Sequence, residues 1–320
     1  MPVPSAEKDK NMKIAFMYPG QGVQKIGMIK DFYDKESFAV DMVNEASEAA
    51  GLDMAKLIFE ENDDINVTEF TQPALVTACL VITKALCDAG IKPDITAGLS
   101  LGEYCAISAA GAMSFADAVR LTRIRGRLMS NTVPAGCGGM AAVIGLEPDV
   151  IEGIISSFEE VTMANFNCPG QTVITGKAEG VAAAAEALKE AGARKVVVLN
   201  VSGPFHSPML KPAGDMLREE LDKAEIADLK VPYIANSTAA VVSDKDSIRD
   251  LLQVQVSSPV LWEQSLRTAK EFGVDLIVEI GPGKTIAGFV KKTVPEIEVI
   301  NVSTVEEAEA AIKKIKEINS

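Results

Sequence analysis

The spacing of apolar residues divides the chain into short extended runs and longer helical ones. Residues 13–18 are β-prone and stop at Pro19-Gly20-Gln21-Gly22, a turn that leads towards a helical stretch over 38–50. From Gln72, the positions Pro73, Leu75, Val76, Cys79, Leu80, Ile82 and Leu86 keep helical spacing up to Gly90, and residues 95–98 follow as a short strand. Helical patterns then cover 102–110 and 115–131. Strand and helix therefore alternate around a mainly parallel sheet, the signature of an α/β fold.

The pattern changes at 134–139, where a proline and three glycines break the helix and form a hinge into a smaller unit. That unit reads as strand 140–146, helix 148–157, strand 161–166, strand 171–175, helix 178–191 and strand 195–201. The order β-α-β-β-α-β is the ferredoxin-like arrangement. After Gly203-Pro204 the chain returns to the larger unit with helix 211–224, strand 231–236, helices over 248–255 and 260–272, and strand 276–280. A last amphipathic helix covers 305–318, with Lys313, Lys314 and Lys316 near the end where the helix dipole favours positive charge. The expected division is a polar tail over 1–12, a large domain made of 13–133 and 202–320, and an inserted domain over 134–201.

Composition narrows the class. Apolar residues make up 48% and charged residues 24%, as in folded soluble proteins. The longest apolar runs, near 140–146 and 196–201, fall short of the ~20 residues that span a bilayer, so no membrane association is expected. Residues 1–11 lack the apolar stretch of a secretory signal. Five cysteines, an odd number without a C-x-x-C pair, argue against a disulfide framework and fit a reducing cytoplasm. The single histidine excludes a His-rich metal centre and leaves open only a carboxylate-held magnesium; no metal and no cofactor are expected. A net charge of −14 disfavours nucleic acid, and an acidic partner must dock on a local basic patch. Arg120, Arg123 and Arg127 form one such stripe, the kind of stripe that is usually a solvated helix face.

Three residues stand out chemically. Gly98-Leu99-Ser100-Leu101-Gly102 is a G-x-S-x-G run with a strand before it and a helix after it. Small residues on either side let the serine hydroxyl project from a sharp turn, and the turn aims the Leu101 N–H and the helix N-terminus at a forming oxyanion. The same run also occurs by chance in glycine-containing loops. A serine nucleophile needs a base, and only His206 is present, in a turn-rich segment between Pro204 and Pro208. A lone histidine can equally be a surface or core residue. On a wheel at ~100° per residue, with Arg120 at zero, Arg125 falls at about 140°, on the apolar flank between Leu128 and Met129. A guanidinium buried there demands an anion: one of the 45 acidic residues, or the carboxylate of a substrate.

With these residues in place, the chain resembles the malonyl-CoA:acyl carrier protein transacylases. The resemblance is carried by Pro19-Gly20-Gln21-Gly22, Gly98-x-Ser100-Leu101-Gly102-Glu103-Tyr104, Arg125-Gly126, Asn165-Phe166-Asn167-Cys168-Pro169-Gly170-Gln171, Gly203-Pro204-Phe205-His206-Ser207 and Glu279-Ile280-Gly281-Pro282-Gly283, in that order. It implies an α/β-hydrolase-like large domain with an inserted ferredoxin-like domain. It also implies that Ser100 is acylated, His206 shuttles the proton and Arg125 binds the malonyl carboxylate. By the same resemblance, main-chain N–H groups of Gln21 and Leu101 form the oxyanion hole, and the main-chain carbonyl of Gln255 orients the histidine. Phe205 is similar to the ring that crowds branched acyl groups in malonyl-selective members. The implied partners are malonyl-CoA and the phosphopantetheine thiol of acyl carrier protein, in fatty acid synthesis. One departure is Leu99, where the family usually has histidine; Val23 in place of a frequent serine is a lesser one.

Three rival readings remain at this point: a discrete acyltransferase of a polyketide pathway, an α/β-hydrolase thioesterase or esterase, and a non-catalytic carrier-binding protein. Hydrolases of that class place the histidine last in the order Ser, acid, His, whereas more than a hundred residues follow His206.

Overall fold

The computed structural model describes residues 12–318. Apart from Met12, the expected polar tail lies outside the described residues. Strand β1 (Ile14–Tyr18) is buried at every position and sits at the centre of a six-stranded sheet. β2 is Ile95–Gly98, and the small unit contributes β3 (Gly138–Ile144), β4 (Val161–Cys168), β5 (Gln171–Lys177) and β6 (Lys195–Val198). The chain then adds β7 (Tyr233–Ile234), β8 (Val241–Val242), β9 (Leu276–Ile280) and β10 (Glu298–Val302). The large sheet has the order β10-β9-β1-β2-β7-β8, parallel throughout except for the β7–β8 hairpin at its edge. Strands buried on both faces, such as β1 and β9, read as continuous apolar runs because helices cover both sides.

Helices Ser37–Ala50, Thr68–Asp88 and Phe115–Asn131 pack on one face. Trp262–Phe272 and Thr285–Thr293 cover the other. Thr68–Asp88 has the length and apolarity of a membrane span, yet 78% of its apolar window is buried inside the molecule. It is the core helix of the large sheet, and it begins one turn before the first residue at which its periodicity is visible. Gly126 lets Phe115–Asn131 lie against it, since a Cβ there would stand 2.7 Å from the carbonyl oxygen of Thr68.

The small sheet is antiparallel in the order β4-β5-β3-β6, with helices Pro148–Ile155 and Ala178–Glu190 on its apolar side. It is joined to the large unit by a parallel bridge, in which Phe166 N–H donates to the Val260 carbonyl at 2.9 Å and Val260 N–H to the Ala164 carbonyl at 2.8 Å.

Several expectations change. The strand expected over 231–236 shortens to Tyr233–Ile234, because the chain turns away so that Asn236 can bond to the loop after β2. The strand expected over 195–201 ends at Val198, although one more bond to β3 follows it, from Leu199 N–H to the Met140 carbonyl at 2.9 Å. Helix Thr285–Thr293 and strand β10 carry no expectation at all, and neither do the six-residue helices Lys30–Lys35 and Met54–Phe59. All five cysteines are free.

The unexpected helix is anchored by Glu279, a fully buried carboxylate at the end of β9. It accepts from the main-chain N–H groups of Ile286 and Ala287 at 2.9 Å each, and from the Asn301 amide. The Glu279→Ala variant leaves three donors without their acceptor, and we expect a loss of about 3 kcal/mol in denaturant unfolding; Glu279→Gln should lose less.

Candidate active site

The turn after β2 puts Ser100 in the left-handed region, at φ 53°. A non-glycine residue rarely sits there without surrounding constraint. Here the constraint is close packing. A Cβ on Gly98 would collide with the carbonyl of Gly102, and one on Gly102 would lie 2.5 Å from the carbonyl of Tyr18. Asn236 secures the turn, accepting from Ser100 N–H and donating to the Gly98 carbonyl at 2.7 Å each. The helix Gly102–Ala109 starts directly afterwards.

His206 also has a positive φ, 59°, in the loop that returns from the small unit. Its Nε2 is 2.7 Å from Ser100 Oγ, and its Nδ1 is 2.9 Å from the main-chain carbonyl of Gln255. Since a carbonyl only accepts, Nδ1 carries the hydrogen and Nε2 is left to take the serine proton. Burial first, and then the charge of Arg125, press the imidazole down to about 4, against the opposing backbone of Gln255 and Ser258. The ring is therefore neutral at neutral pH, the form a general base requires.

Arg125 is 1% exposed and makes no ion pair with a carboxylate among the described residues. Its partners are neutral: Nη1 donates to Gln72 Oε1 at 2.7 Å, and Nη2 to Gln255 Oε1 at 2.8 Å and Ser100 Oγ at 3.0 Å. Nε has no partner. Burial lowers the guanidinium's affinity for its proton, with Tyr104 and Glu103 acting the other way. Of the two anions open to it from the sequence, the protein's own carboxylate is not in contact. Of the basic stripe, Arg120 is paired with Asp117 and Glu220 and Arg123 with Glu69 and the Ala50 and Gly51 carbonyls, while Arg127 is exposed.

Gln255 ties these groups together with both halves of the residue. Beyond its carbonyl on His206, its side-chain Nε2 donates to the Ser100 carbonyl and to Glu103 Oε2, each at 2.8 Å. Burial pushes the Glu103 carboxyl up to about 7, against the Gln255, Asn236 and Arg125 interactions. Gln72, Asn236 and the Gln255 amide are site residues that motif reading passes over, because buried polar side chains on separate elements leave no spacing signal; Glu103 stands within the serine motif, but nothing in the motif assigns it a role.

A cleft of about 450 Å³ opens over Ser100 and His206, with Gln21, Leu99 and Phe205 on the large unit facing Met140 and Asn165 on the small sheet. The main-chain N–H groups of Gln21 and Leu101 donate no hydrogen bond among the described residues; Gln21 lines the cleft and Leu101 directly follows Ser100. Leu99 lines the cleft and packs partly against the Trp262 side of the core. A larger hollow of about 670 Å³, near Cys137, Phe158 and Lys177, contains none of these residues. A serine and a neutral imidazole in one cleft, with unused N–H donors and a buried cation beside the serine, are the equipment for passing an acyl group through a serine ester.

Fold and site thus define an α/β enzyme of the acyl-transfer class. Residues 15–317 match the family described as acyl transferase domain. The malonyl CoA-acyl carrier protein transacylase of Bacillus subtilis (strain 168) is 44% identical over 312 residues, covering 96% of this chain and 98% of that protein. The crystal structure of malonyl CoA-acyl carrier protein transacylase from Clostridium perfringens superposes with a TM-score of 0.92 at 40% identity, covering 96% of this chain and 98% of that one. A malonyl-transacylase in complex with a type II PKS acyl-carrier protein matches with a TM-score of 0.91 at 34% identity, covering 94% and 99%. The chain belongs to the acyl transferase family, among the malonyl CoA-acyl carrier protein transacylases.

Because His206 is the only histidine, its ring gives a single histidine signal in NMR. Its titration should centre near 4 and not near the ordinary 6.5. In linkage terms, a depressed imidazole contributes stability that is present above about 6.5 and lost as the pH falls towards 4. A midpoint at 6 or above would mean that the ring is not buried beside Arg125.

Proposed function

We propose that this enzyme transfers malonyl groups from malonyl-CoA to the phosphopantetheine thiol of acyl carrier protein, supplying extender units for fatty acid synthesis. The observation that carries the reading is Arg125: a buried guanidinium without a carboxylate partner, 3.0 Å from the hydroxyl that would carry the acyl group. A malonyl ester places its free carboxylate a few bonds from that oxygen, and an acetyl ester has nothing to offer there. The names of its relatives, which include both malonyl-CoA and the carrier, support the same substrate and partner.

The hydrogen bonds around Ser100 support a two-step transfer. Ser100 Oγ gives its proton to His206 Nε2 as it attacks the thioester carbonyl, and the Gln21 and Leu101 N–H groups receive the oxyanion. The protonated imidazole returns the proton to the departing coenzyme A thiolate, leaving malonyl-Ser100. The carrier thiol then repeats the sequence in reverse, its proton passing through His206 to Ser100, a ping-pong scheme without metal or cofactor. The Gln255 carbonyl takes the orienting place that an acidic residue holds in a Ser-His-Asp triad. Phe205, on the cleft wall beside His206, narrows the space for a branch at the acyl α-carbon.

We also read the large sheet, over 13–133 and 202–320, as an α/β-hydrolase-like domain, and 134–201 as a ferredoxin-like insertion. The parallel order around β1 and the order β4-β5-β3-β6 support this division. A cytoplasmic setting fits the five free cysteines.

Two variant sets test the reading. Ser100→Ala should abolish the malonyl adduct seen by intact mass after mixing with malonyl-CoA. His206→Ala should slow its formation by about 10²–10⁴-fold or more with an unchanged melting curve. Near-normal transfer by either variant removes the mechanism. Arg125→Ala should depress malonyl kcat/KM strongly, by a contact worth about 1.5–3 kcal/mol, and leave acetyl transfer equal or improved. A merely structural arginine would lower stability and both activities together, and an unchanged malonyl-to-acetyl ratio would sink the malonyl assignment.

A further inference from the structure

Glu103 is a buried charge that the mechanism above leaves unused. It is 1% exposed, on the first turn of the helix that follows Ser100. Its Oε2 accepts from Gln255 Nε2 at 2.8 Å and from the Asn236 main-chain N–H at 3.3 Å, while its Oε1 has no partner. Only the Gln255 amide separates it from Arg125: the amide turns its NH2 to the carboxylate and its oxygen to the guanidinium, at 2.8 Å on each side. A bridging amide must keep that orientation as long as Glu103 accepts and Arg125 donates.

The charges facing this spot are few. Arg125 is the cation on the helix Phe115–Asn131, and the neighbouring Tyr104 and Tyr233 phenols are held uncharged by burial, both raised far above their ordinary value. His206, across the serine, is neutral. The empty site therefore holds one cation and one potential anion, joined through an amide.

We propose that Glu103 is the counter-charge of Arg125 in the empty site and takes up a proton when a malonyl carboxylate occupies the guanidinium, so that malonyl binding and proton uptake are linked. This rests on the malonyl reading of Arg125. The physical reason is that two carboxylates cannot both stay ionised around one guanidinium in a dry interior. The substrate carboxylate meets the guanidinium directly, while Glu103 reaches it only through Gln255, so Glu103 is the one that yields. The proton comes from solvent, one O–H bond forms on the Glu103 carboxyl, and no other bond changes. Burial already holds Glu103 near 7, so a second negative charge needs to move it only upward. Reciprocity fixes the sign: binding that takes up a proton weakens as the pH rises. Glu103 is in this sense a positioning residue, since it acts on substrate through Gln255 and Arg125.

The test is calorimetry of malonyl-CoA binding to the Ser100→Ala chain at pH 8, in two buffers of different ionisation enthalpy, with acetyl-CoA in parallel. We expect an uptake of up to about one proton per malonyl-CoA, none with acetyl-CoA, and a malonyl-CoA Kd that rises by up to about tenfold per pH unit above 7. Adding Glu103→Gln should remove the uptake and flatten the pH dependence, with a melting curve to verify folding. If that variant does not fold, the comparison of the two thioesters still decides. Malonyl binding without proton uptake, equal uptake with both thioesters, or uptake that persists in a folded Glu103→Gln chain would overturn the linkage. Malonyl-CoA binding no better than acetyl-CoA would instead sink the malonyl reading, and the linkage with it.

Discussion

A serine held in the left-handed region between two glycines with no room for a side chain is the constraint from which the site is built. The Gly98 and Gly102 backbones, together with the carbonyl of Tyr18, leave only one path for the chain between β2 and its helix. That path lifts the Ser100 hydroxyl out of the backbone and brings it to His206. It also ends β7 early, because Asn236 must leave the sheet to bond both sides of the turn. Ser100 and His206 both hold a left-handed conformation that is rare outside glycine, and the parallel sheet around β1 supplies the rigidity that holds the serine turn.

Around this turn the polar groups form a closed set, with Gln255 at its centre. One residue orients the imidazole with its carbonyl and connects Ser100, Glu103 and Arg125 with its amide. Buried polar networks of this kind are stable only when nearly every member is satisfied. The exceptions are therefore informative: Arg125 Nε and Glu103 Oε1 have no partner, and both belong to the charges that a carboxylate-bearing substrate would perturb.

The sequence makes some of this legible and not the rest, for physical reasons. Ser100 stands out because a strand-turn-helix elbow requires small residues at fixed offsets, and His206 because no other imidazole exists. Arg125 shows itself by falling on the wrong side of its helix. Gln72, through Arg125, and Asn236, through Ser100 and Glu103, join the site only by tertiary packing, and a polar residue inside a helix or at a strand end looks like surface until its neighbours are known. Elements behave likewise. The succession of strands and helices in the small unit is visible because changes of period separate them, whereas Thr285–Thr293 contains Gly288 and a lysine pair and is held from outside by Glu279. Lys30–Lys35 and Met54–Phe59, six residues each, are too short for a period to register.

The bridge between β4 and Val260 has a consequence for how the protein opens. Val260 lies five residues after Gln255, so the segment that fixes the imidazole is also the segment stitched to the small sheet. A local breathing motion that peels the small sheet away must break the Phe166 and Val260 amide bonds and pull on that segment. Opening of the small sheet would therefore disturb the position of Gln255, and with it the hydrogen bond to His206. The small sheet and the residue that orients the imidazole are thus held by one stretch of chain, and a strain applied to either is felt by the other.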